Sequence, residues 1–188
     1  MHGREAYRRN SYATCFIFYK NILETAPIFW YGCWTIFSGT PVFHMILYNA
    51  FNPVFTSLPI IWFSTMDLEW SKERLMNDPK LYKYGLRNLH FNIRIFLRWI
   101  FYGFWQSCLI LVFSFYSIVQ ASQNYQGKFG GMANAGDFVF ACVVIVANVK
   151  VLVSSYQIGL GIIFVVFFSI AMYVAAYAII SRYFVTDA

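Results

Sequence analysis

Lys20, Asn21 and Glu24 stand within little more than one helical turn of each other in "CFIFYKNILETAPIFW", Cys15 to Trp30, a stretch otherwise apolar enough to lie in a bilayer. A charge near the bilayer centre costs about 2.5–3.5 kcal/mol on insertion scales, so it persists there only with a partner or a task. Further on, "YNAFNPVFTSLPIIW", Tyr48 to Trp62, offers Asn49, Asn52, Thr56 and Ser57 without any charge, interrupted by Pro53 and Pro59. Each proline lacks an N–H, which leaves the carbonyls of Asn49 and Phe55 without their helical donors. An ammonium group beside amides that donate and accept can hold a phosphate or carboxylate, and a low dielectric strengthens the contact. Two blander roles stand beside that one. Lys20 and Glu24, at i and i+4, can pair with each other, and Asn and Thr can simply bond helix to helix in lipid.

Other chemistry finds little support. His2, His44 and His90 are far apart and form no ligand cluster, so no metal site is expected. Cys15, Cys33, Cys108 and Cys142 all fall in apolar runs and read as small buried hydrophobes rather than a disulfide framework. There is no G-x-x-x-x-G-K-[ST] loop, no H-E-x-x-H and no serine nucleophile elbow, so no catalytic residue is assigned and this stretch cannot hydrolyse a nucleotide by itself.

The elements that must position Lys20 and Asn52 are membrane helices. Of 188 residues, 60% are hydrophobic, 22% aromatic and only 12% charged, which excludes an ordinary soluble domain. Five segments have the roughly 20 apolar residues needed to cross a bilayer, near 12–37, 42–63, 95–119, 138–156 and 158–180. The expected fold is therefore an all-α polytopic bundle. "SGTP" at Ser38 to Pro41 and "SSYQIG" at Ser154 to Gly159 are tight connections, so the first and second spans, and the fourth and fifth, are expected to be antiparallel neighbours. The first run is too long, and too interrupted by Lys20 and Glu24, for a cleaved signal peptide.

Basic residues set the orientation. Arg4, Arg8 and Arg9 precede the first apolar run, and seven of the 14 Lys and Arg residues fall from Lys72 to Arg98. Basic segments stay in the cytoplasm, so the N-terminus and the connection 64–94 are placed inside and the Gly- and Asn-rich connection 121–137 outside; nucleic acid is a poor partner for such charges. Lys20 then lies about 12 Å from the cytoplasmic end of its helix, beyond comfortable snorkelling, and Asn52 about 16 Å from the opposite face. An antiparallel hairpin can bring Lys20, Asn21 and Asn52 to one level, beside helices kinked at Pro27, Pro53 and Pro59. Lys150, about six residues from the cytoplasmic end of the fourth span, is expected to snorkel. Ala171 and Ala175 make a small-xxx-small pair, a weak packing signal.

Four blocks in order, "HGREAYRR" (His2–Arg9), "FYKN" (Phe18–Asn21), "FNPVFTSLP" (Phe51–Pro59) and "DPKLYKYGLRNLHFN" (Asp78–Asn92), resemble the membrane region of type IV P-type ATPases, the phospholipid flippases. The resemblance implies a fragment of a larger P-type ATPase membrane domain that begins at the cytoplasmic start of the fifth family helix and ends after the ninth. It implies movement of phospholipid from the exoplasmic to the cytoplasmic leaflet, and places Lys20, Asn21 and Asn52 on the headgroup path. ATP and Mg2+ chemistry would belong to the rest of the parent ATPase, since neither "DKTGT" nor "GDGxND" occurs here. The resemblance also implies a two-span accessory β-subunit meeting the loop 121–137, and a multi-pass protein of a eukaryotic plasma, secretory or endosomal membrane. Pro53 and Glu24 depart from the family pattern, which is apolar at the first and mostly apolar at the second. Two alternatives use the same residues: a non-catalytic flippase-like membrane module that anchors or regulates another domain, and an unrelated channel or transporter subunit with a polar path at Lys20 and Asn52.

Overall fold

The computed structural model describes residues 2–39, 41–70, 74, 77, 90–121 and 132–185. Most of the basic connection after the second span, with the block from Asp78 as far as residue 89, and most of the loop 121–137 with Lys128, lie outside the described residues.

All regular elements among the described residues are helical. They are α1 (His2–Trp34), α2 (Met45–Ala50), a π-helical turn (Phe51–Phe55), α3 (Ser57–Met66), α4 (Ile93–Ala121), α5 (Met132–Ser154) and α6 (Leu160–Val185). Among the described residues, four segments are long and apolar enough to cross a membrane: Met45–Met66, Ile93–Ser117, Ala135–Ser154 and Leu160–Arg182. The remaining expected span, the first, falls in α1, which has ample length at 33 residues but is more polar than the others. It starts ten residues before the expected Tyr12 because the charges of its first turns are matched within the fold, as described below.

Packing follows the expected hairpins. Arg8 meets Asp67, Lys20 meets Thr56 and Asn52 meets Glu24. Positions rise along α1 as they fall along the second span, so the two are antiparallel. α5 and α6 pair likewise, with the Tyr173 hydroxyl donating to the Asp137 carbonyl at 3.3 Å. α1 packs most extensively on α4. Gly103 makes that approach possible, since a Cβ there would lie 3.1 Å from the Tyr19 carbonyl oxygen. The Trp30 indole N–H donates to Ser107 Oγ at 3.2 Å, and the Tyr19 hydroxyl makes a short hydrogen bond to Gln106 Oε1.

The core is one continuous cluster that includes Phe16, Tyr19, Leu23, Phe51, Phe55, Phe140, Val143, Ala147 and Ile162. Edge-to-face rings join the layers: Phe51 on Phe140 at 5.8 Å and Phe55 on Tyr173 at 5.4 Å. In lipid, apolar side chains gain little by leaving the acyl tails, so close packing and buried polar bonds must hold these helices together. Ala171 and Ala175 are exposed, so the small-residue signal makes no helix interface here. Cys15 is buried and Cys33 exposed, so burial holds for the first but not for the second.

Candidate functional site

The second span is broken where its prolines require. Pro53 lies inside the π-helical turn, and the backbone leaves helical geometry at Thr56 (φ −131°, ψ −7°) before α3 restarts. Pro59 then occupies the first turn of α3, where a missing N–H costs little. Pro27 behaves differently, for α1 continues helically through it to Trp34 and the residue is buried.

Of the two proline-freed carbonyls, that of Phe55 finds a side-chain donor, and two other carbonyls at the break accept side-chain hydroxyls as well. Thr56 Oγ1 donates to the Phe51 carbonyl at 3.0 Å, Ser57 Oγ donates to that of Pro53 at 2.5 Å, and Asn148 Nδ2 from α5 reaches that of Phe55 at 3.0 Å. Phe55 is the position that Pro59 deprives of a donor, and Asn148 is fully buried there. Sequence reasoning identified the orphaned carbonyl but not its partner. The signal was available, since Asn148 is the lone amide in its apolar run.

Lys20 lies at this break. It is 6% exposed, and its Nζ donates to Thr56 Oγ1 at 2.9 Å. No ion pair joins it to Glu24; the four found among the described residues all lie near the start of α1. Glu24, 3% exposed, instead accepts from Asn52 Nδ2 through Oε2 at 3.4 Å, while its Oε1 is buried without a hydrogen-bond partner. Lys20 and Asn52 therefore belong to successive polar layers one turn apart. Asn21 is exposed, and its carbonyl accepts from Thr25 Oγ1 at 2.8 Å. Asn52 and Pro53 are also exposed. Lys150 directs Nζ toward the rings of Trp99, Tyr102 and Tyr19, at 5.1, 5.8 and 5.9 Å from their centroids, an aromatic setting that snorkelling did not anticipate.

A second polar cluster, missed as such in the sequence, ties the start of α1 to the end of α3. Arg8 Nη2 donates to Asp67 Oδ2 at 2.8 Å and lies 3.1 Å from Glu5 Oε2. Arg4 Nη2 reaches Glu69 Oε2 at 2.8 Å. Asp67 Oδ1 also accepts the backbone N–H groups of Tyr156 (2.9 Å) and Gln157 (3.1 Å), in the connection between α5 and α6. One buried carboxylate thus holds three parts of the chain. Beside it, His90 stacks edge-on against Tyr7, with ring centroids 5.9 Å apart. Burial holds its pKa below the usual imidazole value; Arg4 and Arg8 act in the same direction, and Glu69 and Glu5 oppose them.

Comparison with known proteins follows the same lines. Residues 1–187 match the family described as "Phospholipid-translocating P-type ATPase C-terminal". The chain is 35% identical over 157 residues to "Probable phospholipid-transporting ATPase 12" of Arabidopsis thaliana, covering 83% of this chain and 13% of that protein. It is 32% identical over 192 residues to "Probable phospholipid-transporting ATPase 11" of the same plant, covering 100% of this chain and 16% of that protein. "Phospholipid-transporting ATPase ID" of Mus musculus is 35% identical over 160 residues, covering 85% of this chain and 13% of its own length. The chain thus spans only a small part of the curated relatives it matches.

Proposed function

Because the chain belongs to the family of C-terminal regions of phospholipid-translocating P-type ATPases, we propose that it supplies helices of the path by which a complete ATPase moves phospholipid from the exoplasmic to the cytoplasmic leaflet. Lys20, Asn21 and Asn52 border the passing headgroup in this reading. The carrying observation is the buried Lys20 ammonium, whose one hydrogen bond goes to a neutral hydroxyl. Its charge is left for a phosphate, and a dry site makes that attraction far stronger than water would. Pro53 and Pro59 support the role by keeping the facing helix irregular beside it, which buried protein tolerates and bare lipid does not.

The rest of the reading follows from the family. ATP and Mg2+ belong to cytoplasmic domains of the complete protein, whose motions the membrane helices receive. The start of α1 faces the cytoplasm, α1 crosses the membrane as the first of five spans in this stretch, and the loop 121–137 meets an accessory β-subunit on the opposite side. A eukaryotic plasma, secretory or endosomal membrane is its setting.

The test is Lys20→Ala in the complete ATPase. Lipid-stimulated ATP turnover per folded molecule should fall about tenfold or more, the effect of losing one charged hydrogen bond to substrate. Normal turnover per molecule with lost yield would instead make Lys20 a structural residue and overturn the headgroup role.

A further inference from the structure

Glu24 sits inside the site just described, yet its carboxylate is only half used. The Asn52 contact, at 3.4 Å, is at the long end of hydrogen bonding, and Oε1 is buried with no donor. Buried polar atoms are nearly always satisfied, so an orphaned carboxylate oxygen calls for an explanation. Lys20 offers none, because its ammonium is directed to Thr56 and makes no ion pair with Glu24. The two residues stand four positions apart on α1, about 6 Å along the axis and on nearly the same face. One buried patch therefore presents a cation and, a turn away, an anion with a spare acceptor.

The geometry points to Glu24 as the residue that recognises the primary ammonium of a zwitterionic phospholipid headgroup while Lys20 holds its phosphate. This rests on the headgroup-path reading above and deepens it. The pair of side chains carries no net charge, as does phosphoethanolamine, whose phosphate and ammonium are separated by a short spacer. A primary ammonium has N–H groups to give Oε1; a quaternary ammonium has none. A serine headgroup adds a carboxylate, which would meet Glu24 as a like charge in a low dielectric. Exposed Asn52 holds Oε2 only loosely, so its long bond can be exchanged for one from an entering ammonium.

The experiment uses the complete ATPase, with turnover stimulated separately by phosphatidylethanolamine, phosphatidylserine and phosphatidylcholine in mixed micelles. Wild type should prefer the ethanolamine lipid, and Glu24→Gln should lower its stimulation relative to the serine lipid about tenfold, the loss of one charged hydrogen bond. Because the readout is a ratio between lipids in one preparation, reduced folding cannot mimic it. Glu24→Asp, which keeps the charge, should retain part of the preference. If Lys20→Ala abolishes stimulation by every lipid while Glu24→Gln leaves the ratio unchanged, the role of Glu24 is overturned and the path survives. If Lys20→Ala also leaves stimulation intact, the path itself fails.

Discussion

Lys20 Nζ donates to Thr56 Oγ1 on the neighbouring span, not to Glu24 one turn along its own helix. The same threonine hydroxyl spends its single proton on the Phe51 carbonyl, so its lone pairs face the ammonium. Thr56 thus serves both the break in the helix and the buried cation.

Replacing that hydroxyl should be costly. Thr56→Val leaves Lys20 without its acceptor and removes the side-chain donor to the Phe51 carbonyl, and should destabilise the complete ATPase by about 1–3 kcal/mol. Thr56→Ser keeps the hydroxyl and should recover most of the loss. Thermal denaturation of both variants in detergent measures the difference, and equal midpoints would show that the hydroxyl does not matter.

Asn148 offers a second site for the same physics. Asn148→Leu removes the donor to the Phe55 carbonyl, which Pro59 has already deprived of its helical partner. The expected loss is again about 1–3 kcal/mol, the cost of a buried unsatisfied group. Pro59→Ala in the same background returns an N–H to α3 and should restore part of the loss. Additive effects in that double mutant would sever the link between the two positions.

Arg8 and Asp67 form a buried charge pair, and breaking one side of such a pair typically costs about 3–5 kcal/mol. Asp67→Asn should fall toward the low end, since Glu5 still faces Arg8 and the amide oxygen can still accept from Tyr156 and Gln157. A double-mutant cycle with Arg8→Gln should show strong coupling. Independent losses would place the cost elsewhere.

His90 should make stability depend on pH. Its folded pKa lies below the ordinary imidazole value of 6.5, so the folded state binds the proton less readily than the unfolded chain. The contribution is complete above that value and is lost as pH falls below it toward the folded pKa. Melting curves of the complete ATPase between roughly neutral and mildly acidic pH should therefore slope less in His90→Gln than in wild type. Parallel slopes would remove His90 as the cause.

Much of this architecture was legible because apolar runs long enough to span a membrane are separated by polar connections, and short connections force antiparallel neighbours. The broken second span followed from Pro53 and Pro59, whose missing N–H groups are fixed by covalent structure. The partner of the freed Phe55 carbonyl was not legible in the same way. Asn148 is distant in sequence from Phe55, and only tertiary packing selects it. Lys20, Asn21 and Asn52 were expected at one level, but Lys20 meets Thr56 while Asn52 meets Glu24 a turn away. Depth follows from the rise per residue, but adjacent helical residues point about 100° apart, so Lys20 can be buried while Asn21 is exposed. The ion cluster at the start of α1 was read only as cytoplasmic charge, since its carboxylate partner at Asp67 lies at the far end of the next span.

The wide turn at Phe51–Phe55 sets the angular phase of everything that follows it. A π turn accommodates about one residue more than an α turn, and each residue in a helix advances the next by about 100°. Adding one further residue there, with no second wide turn to absorb it, would rotate α3 by roughly that angle about its axis, swinging Asp67 away from Arg8 and from the Tyr156 and Gln157 amides. The irregular turn within the second span and the clasp at that span's end are thus in register with each other.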